Sequence, residues 1–151
     1  MTMAEVQGAT KERTDSGMRA VAVGGQAALV AVIEDEAIVM IGYQMLFESW
    51  GYRVVAAGSA KDVLANLPAD GCPPDVIIAD YRLRDGQTGV AAIRAIQSVF
   101  GKAIPAILIT GDTGAERLRE AASSGLPILH KPVNGAQLRD LLRHSLQGDE
   151  E

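Results

Sequence analysis

The sequence predicts an α/β fold in which one parallel sheet is covered by helices on both faces. Short apolar runs at 28–33, 52–56, 75–79, 104–109 and 126–129 alternate with longer mixed segments at about 36–50, 59–67, 87–99, 114–124 and 134–146. The runs are continuously apolar, as in Val76-Ile77-Ile78-Ala79. Strands buried on both faces require this, whereas a half-exposed strand would alternate. Regular strand–helix alternation joins consecutive strands by right-handed crossovers, which makes them parallel.

Several boundaries carry their own chemistry. Ser59 stands where the second helix needs an N-cap, and Asn134 where the last one does. Gly51 and Gly125 follow the first and fourth helices, where the chain must leave the helical conformation. The first helix carries two apolar stripes: Val39, Tyr43, Leu46 and Trp50 on one face, and Ile38, Ile41 and Met45 on its neighbour. A helix lying on a sheet buries one broad face. Either both stripes are core, or the second is exposed and forms a docking patch.

The chain has 151 residues, 48% of them hydrophobic, enough for one core and one domain. That domain is expected at 27–147. Residues 1–26, rich in Thr, Ser, Gly and charge, read as a flexible leader or linker, with Met18 as an alternative start, and 148–151 as a tail. A net charge of -5 without a dense basic block argues against nucleic acid and anionic membrane as direct partners. The single cysteine, Cys72, excludes an intramolecular disulfide. No signal peptide or membrane span is legible, so a cytoplasmic protein is expected.

Ligands of an open parallel sheet bind at the carboxyl ends of its strands. Those ends deliver Glu34 and Asp35 after the first strand, Asp80 after the third, Thr110 after the fourth, and His130-Lys131-Pro132 after the fifth. The second ends in Ala56-Ala57-Gly58, which places it away from the site. Carboxylates gathered in a cleft repel one another, and a divalent cation relieves the repulsion. Oxygen ligands without a His or Cys cluster favour Mg²⁺. A hydroxyl and an ammonium then supply what a phosphoryl group needs, a donor and a positive charge. An aspartate with an ordinary pKa of ~3.9 is ionised at neutral pH and is a nucleophile without a general base.

Val32-Ile33-Glu34-Asp35, Ile77-Ile78-Ala79-Asp80-Tyr81, Leu108-Ile109-Thr110-Gly111 and His130-Lys131-Pro132, in this order, resemble the receiver domain of two-component response regulators. The likeness covers about residues 28–146. It implies a flavodoxin-like (βα)5 doubly wound fold with strand order 2-1-3-4-5. It makes Asp80 the phosphoacceptor, Asp35 a direct Mg²⁺ ligand, Glu34 a ligand acting mainly through water, and the Arg82 carbonyl a further ligand. Thr110 and Lys131 would hold phosphoryl oxygens, Lys131 would pair with Asp80 beforehand, and the bond before Pro132 would be cis. The implied partner is a sensor histidine kinase or histidine phosphotransfer domain, docking beside the site and along the first helix, where Ile38, Ile41 and Met45 lie. Such a module is not a conventional enzyme. At most it catalyses its own phosphorylation and dephosphorylation, and it stands alone or ends a hybrid sensor kinase.

Receivers usually place Tyr or Phe three residues before the lysine as a rotamer switch; here that residue is Ile128. A readout by ring or hydroxyl flipping is therefore not expected. Gly111 leaves the phosphoryl site open to water or a partner. Glu116, Arg117, Arg119, Glu120, Arg139, Asp140 and Arg143 give the face of the fourth helix, fifth strand and fifth helix its charge, as solvated surface or as ion pairs of a two-fold dimer. An aspartyl phosphatase would carry an acid two residues after its nucleophile, where this chain has Arg82, and no loop suits a flavin phosphate. A receiver fold used only for binding, never phosphorylated, is the alternative.

Overall fold

The computed structural model describes residues 19–111 and 114–147. The proposed leader up to residue 18, the tail at 148–151, Asp112 and Thr113, and the side chains of Glu116 and Arg117 lie outside the described residues. Five parallel strands form the sheet: β1 (Leu29–Ile33), β2 (Arg53–Ala57), β3 (Val76–Asp80), β4 (Ala106–Thr110) and β5 (Ile128–His130). Their order is β2-β1-β3-β4-β5, the arrangement expected from the sequence. The helices are α1 (Ala37–Ser49), α2 (Ala60–Asn66), α3 (Gly89–Phe100), α4 (Ala115–Ser123) and α5 (Gly135–Gln147).

Both faces of the central strands are buried, and their side chains divide by parity. Ala31, Ile33, Ile77, Ala79 and Leu108 point to the layer holding Val63 of α2, Ile93 and Ile96 of α3 and Ala121 of α4. Val30, Val32, Ile78, Ile107 and Ile109 meet Phe47 of α1 and Leu138 and Leu142 of α5. Each fully buried aliphatic side chain stabilises the fold by about 1.5–3 kcal/mol relative to exposure. The strand registers place Asp80 opposite Ile109 and Thr110 opposite His130, so the polar residues leave the sheet along one edge.

The expected caps form. The Asp62 N–H donates to Ser59 Oγ at 3.1 Å, and the Gln137 N–H to Asn134 Oδ1 at 2.9 Å. On α1, Tyr43, Leu46 and Trp50 pack on the core cluster that holds the buried Phe47, whereas Val39 is half-buried and belongs to neither core cluster. Ile38, Ile41 and Met45 are 85%, 50% and 64% exposed, so the second stripe is surface.

Residues 22–27 fold into a hairpin, Ala22–Val23 against Gln26–Ala27, turned by Gly24 and Gly25 at φ 62° and 85°. Positive φ at both turn positions is what a two-residue hairpin loop requires. The segment is held to the domain by the Val21 N–H on the Tyr52 hydroxyl, by Arg53 Nε on the Ala27 carbonyl and by Arg143 on the Arg19 carbonyl. Part of the stretch read as a loose leader is thus packed against α1, β2 and α5. Among the described residues, no helix is long and apolar enough to cross a membrane.

Candidate functional site

The strand ends converge on a cavity of about 240 Å³ lined by Asp35, Glu36, Asp80, Arg82, Gly111 and Lys131. Asp80 ends β3, and Lys131 follows β5, where its N–H continues the ladder onto the Thr110 carbonyl at 2.9 Å. The Lys131–Pro132 bond is cis. Lys131 Nζ lies 3.0 Å from Asp80 Oδ1. The ion pair expected of these two residues is therefore present, partly shielded from water.

Glu34 and Thr110 are buried and do not line the cavity. Glu34 Oε2 accepts the Glu36 N–H at 3.1 Å, so this carboxylate answers one of the unpaired N–H groups at the start of α1. Its other oxygen, Oε1, is buried without a hydrogen-bond partner. A buried acceptor left unsatisfied costs roughly 1–3 kcal/mol. Burial pushes the Glu34 carboxyl above its ordinary value; the Glu36 N–H pulls it back and the Asp80 charge pushes it further up. Burial also raises Asp80, against the pull of the Lys131 hydrogen bond and charge. The ordinary acidity assumed for Asp80 from sequence is thus corrected upward by desolvation. Burial would lower Lys131, but the bond to Asp80 and the Asp80 and Glu34 charges outweigh it, and its net shift is upward.

These groups suit a hard cation. Asp35 and Asp80 share one cavity, both Glu34 and Asp80 carry ionisation penalties that positive charge would relieve, and Glu34 has an idle oxygen. Among the described residues, no three His, Cys, Asp or Glu side chains stand close enough to hold a metal by themselves. Two carboxylates expected to meet a cation, Asp35 and Asp80, do line one cavity, together with Arg82.

A family model described as the response regulator receiver domain matches residues 30–143. The chain belongs to that family. The transcriptional regulatory protein ZraR of Salmonella typhimurium is 29% identical over 118 residues, 78% of this chain and 26% of that protein. The phyllosphere-induced regulator PhyR of Methylorubrum extorquens is 27% identical over 81 residues, 54% of this chain and 30% of that protein. This receiver thus spans under a third of the length of these curated relatives. Among solved structures, the chemotaxis protein CheY4 of Vibrio cholerae matches with a TM-score of 0.66 and 26% identity, over 79% of this chain and 98% of that one. The receiver domain of a signal transduction histidine kinase from Syntrophus aciditrophicus shares the fold, with a TM-score of 0.68 and 21% identity, over 83% of this chain and 94% of that one.

Sequence reading missed three residues around the receiver site. Arg84, in the short 3-10 turn Arg84–Gly86, bonds the Asp35 carbonyl through Nη2 at 3.2 Å and brings Nε to 3.7 Å from Asp35 Oδ2. Tyr81, directly after the acceptor candidate, donates its hydroxyl to Glu120 on α4 at 2.6 Å. Gly89 opens α3 with its N–H on the Tyr81 carbonyl at 2.7 Å. Asp80-Tyr81 was visible as a strand end, and residues 87–99 as a helical segment. Their partners, across a loop or 39 positions away, had no local pattern.

Proposed function

We propose that this receiver accepts a phosphoryl group on Asp80 from a phospho-histidine donor. The observation that carries the reading is the Lys131–Asp80 ion pair within a cavity that also holds Asp35. An Asp80 carboxylate oxygen attacks phosphorus, the P–N bond of the donor breaks, and its electron pair stays on the imidazole nitrogen, which takes a proton from water. Asp35, Asp80 and the Arg82 carbonyl would hold Mg²⁺ directly and Glu34 through water. Bound there, the ion supplies charge neutralisation for the phosphoryl oxygens. Lys131 holds a phosphoryl oxygen once Asp80 is esterified, and Thr110 offers its hydroxyl to another. Room at Gly111 supports access to the group: among the described residues, a methyl there would meet only Lys131, at 3.6 Å. Acyl phosphate on Asp80 then biases the packing of α4, β5 and α5.

Incubation with Mg²⁺ and a small acyl phosphate should add the mass of one phosphoryl group, and chelation should prevent it. Failure to take up phosphate in abundant Mg²⁺ would leave a receiver fold that only binds.

The exposed Ile38, Ile41 and Met45 stripe supports docking of the donor's helical bundle beside the site, whether that donor is a sensor kinase or a histidine phosphotransfer domain. Ile41→Glu places a charge on a half-exposed position, so the fold tolerates it. Transfer from the cognate donor should slow about tenfold, the effect of losing a central apolar contact. Phosphorylation by the small donor should keep its wild-type rate; equal loss in both assays would make the residue structural. Of the charges on the α4-β5-α5 face, Arg139 lies over the Trp50 ring at 4.9 Å, Arg143 holds the Arg19 carbonyl and Glu120 holds Tyr81. A homodimer through this face would draw, among the described side chains, on Arg119 and Asp140.

A further inference from the structure

Tyr81 is held from three sides. Its N–H donates to the Ile109 carbonyl at 2.8 Å, its carbonyl accepts the Gly89 N–H, and its ring, 5% exposed, sits in the core layer that includes Ala121 of α4. The hydroxyl leaves that layer to reach Glu120 Oε1 at 2.6 Å. A hydrogen bond to an ionised acceptor is short and roughly twice as strong as a neutral one. Among the described side chains of α4, at 119–123, Ala121 is the buried one, and at the C-terminal end of the helix Arg94 Nη2 donates to the carbonyl of the C-cap, Ser124, at 3.1 Å. On the strand side, Ile128 packs half-buried against the same layer and offers no polar atom. Beside the bond lies a cavity of about 370 Å³, bounded by Arg82, Gln87 and Thr88 as well as by Tyr81 and Glu120. It gives the ring somewhere to move.

We propose that the Tyr81–Glu120 hydrogen bond is the latch by which α4 senses the state of Asp80. This rests on the reading of Asp80 as phosphoacceptor. Tyr81 is one peptide bond from the acceptor, so charge added at Asp80 and the movement of neighbouring strand ends act on its backbone directly. In the unphosphorylated chain the bond holds α4 against the end of β3. Phosphorylation breaks it and frees α4, and the side chain of β5 takes no part as a switch. Tyr81 is thus a positioning residue acting on α4, not a catalytic one.

The test is amide hydrogen exchange in α4, followed together with intact mass, before and after treatment with Mg²⁺ and acyl phosphate. Tyr81→Phe keeps the ring and removes only the hydroxyl. Without phosphate it should exchange in α4 roughly tenfold faster than wild type, as loss of a charge-assisted bond implies, and phosphorylation should change it no further. Glu120→Ala, an exposed substitution that leaves the core intact, should copy this, while Glu120→Gln retains an acceptor oxygen and should restore the wild-type response. Wild-type protection in Tyr81→Phe, or an undiminished response to phosphorylation, overturns the latch alone. No mass increase in wild type overturns the phosphoacceptor reading and the latch with it.

Discussion

Asp80→Asn is expected to abolish uptake of a phosphoryl group from a small acyl phosphate while leaving the fold intact. The amide has no ionised oxygen to attack phosphorus, and of the carboxylates lining the cavity, Asp35, Glu36 and Asp80, it is Asp80 that Lys131 Nζ contacts at 3.0 Å. Asp35 is held by Arg84, and Glu34 is buried outside the cavity with one oxygen on the Glu36 N–H. Intact mass after incubation reads the result, and residual uptake at the wild-type rate would reassign the acceptor.

The same substitution has a consequence for stability. Burial raises the Asp80 carboxyl above its unfolded value. The native state therefore binds the proton more tightly than the unfolded one, and the stability this contributes is full below the unfolded pKa and lost as pH rises through the native one. At neutral pH, in chelator, the ionised carboxylate is thus a net burden that Lys131 only partly offsets. Asp80→Asn mimics the protonated form, so its Tm in chelator should exceed that of wild type at pH 7, and the difference should shrink on acidification through the carboxylate range. Mg²⁺ should raise the wild-type Tm by mass action and affect the variant less. A variant less stable than wild type at pH 7 would show that the Lys131 ion pair outweighs the burial penalty.

The sheet was legible because its strands are buried on both sides, so each reads as an unbroken apolar run such as Val76–Ala79. Helix ends were legible wherever one side chain satisfies the backbone locally, as Ser59 and Asn134 do. The fate of the two stripes on α1 was not, since helical spacing alone cannot say which of two adjacent apolar faces meets the sheet; Phe47, four residues after Tyr43 and three before Trp50, decides it by filling the core on the first stripe's side. The hairpin at 22–27 escaped because strands of two residues have no periodicity, although Gly24-Gly25 is itself a turn signal. At the site, residue types at strand ends gave Asp80, Asp35 and Lys131, which meet in one cavity. They could not give the withdrawal of Glu34 and Thr110 from it, nor the bonds of Arg84 and Tyr81. Those depend on loop paths and on side-chain length rather than on spacing.

Gly89→Ala should be the most damaging single methyl in the described structure. Thr88 caps α3 through the Ala91 N–H at 3.1 Å, and the next residue passes so close to β3 that its N–H bonds the Tyr81 carbonyl. A Cβ added at Gly89 would stand 2.3 Å from the Asp80 carbonyl oxygen and 3.0 Å from its carbon, with Leu108 Cδ2 also at 3.0 Å. Two of these three atoms are backbone of the central sheet and cannot rotate aside. Overpacking in a core costs typically about 1–3 kcal/mol, and an obstacle of this kind belongs at the upper end or beyond. A loss of about 3 kcal/mol lowers the Tm of a domain of this size by roughly 10 °C. Gly42 is the control: an exposed glycine inside α1 with nothing within 4 Å of the added methyl. Gly42→Ala should stabilise the helix by up to about 1 kcal/mol. Because relief at Gly89 must come from moving the end of β3 or the start of α3, Asp80 shifts with it, and the fraction of Gly89→Ala that remains folded at low temperature should phosphorylate more slowly than wild type. Equal melting temperatures for Gly89→Ala and wild type would mean that α3 retreats freely, and that Asp80 is not fixed by the packing of this helix start.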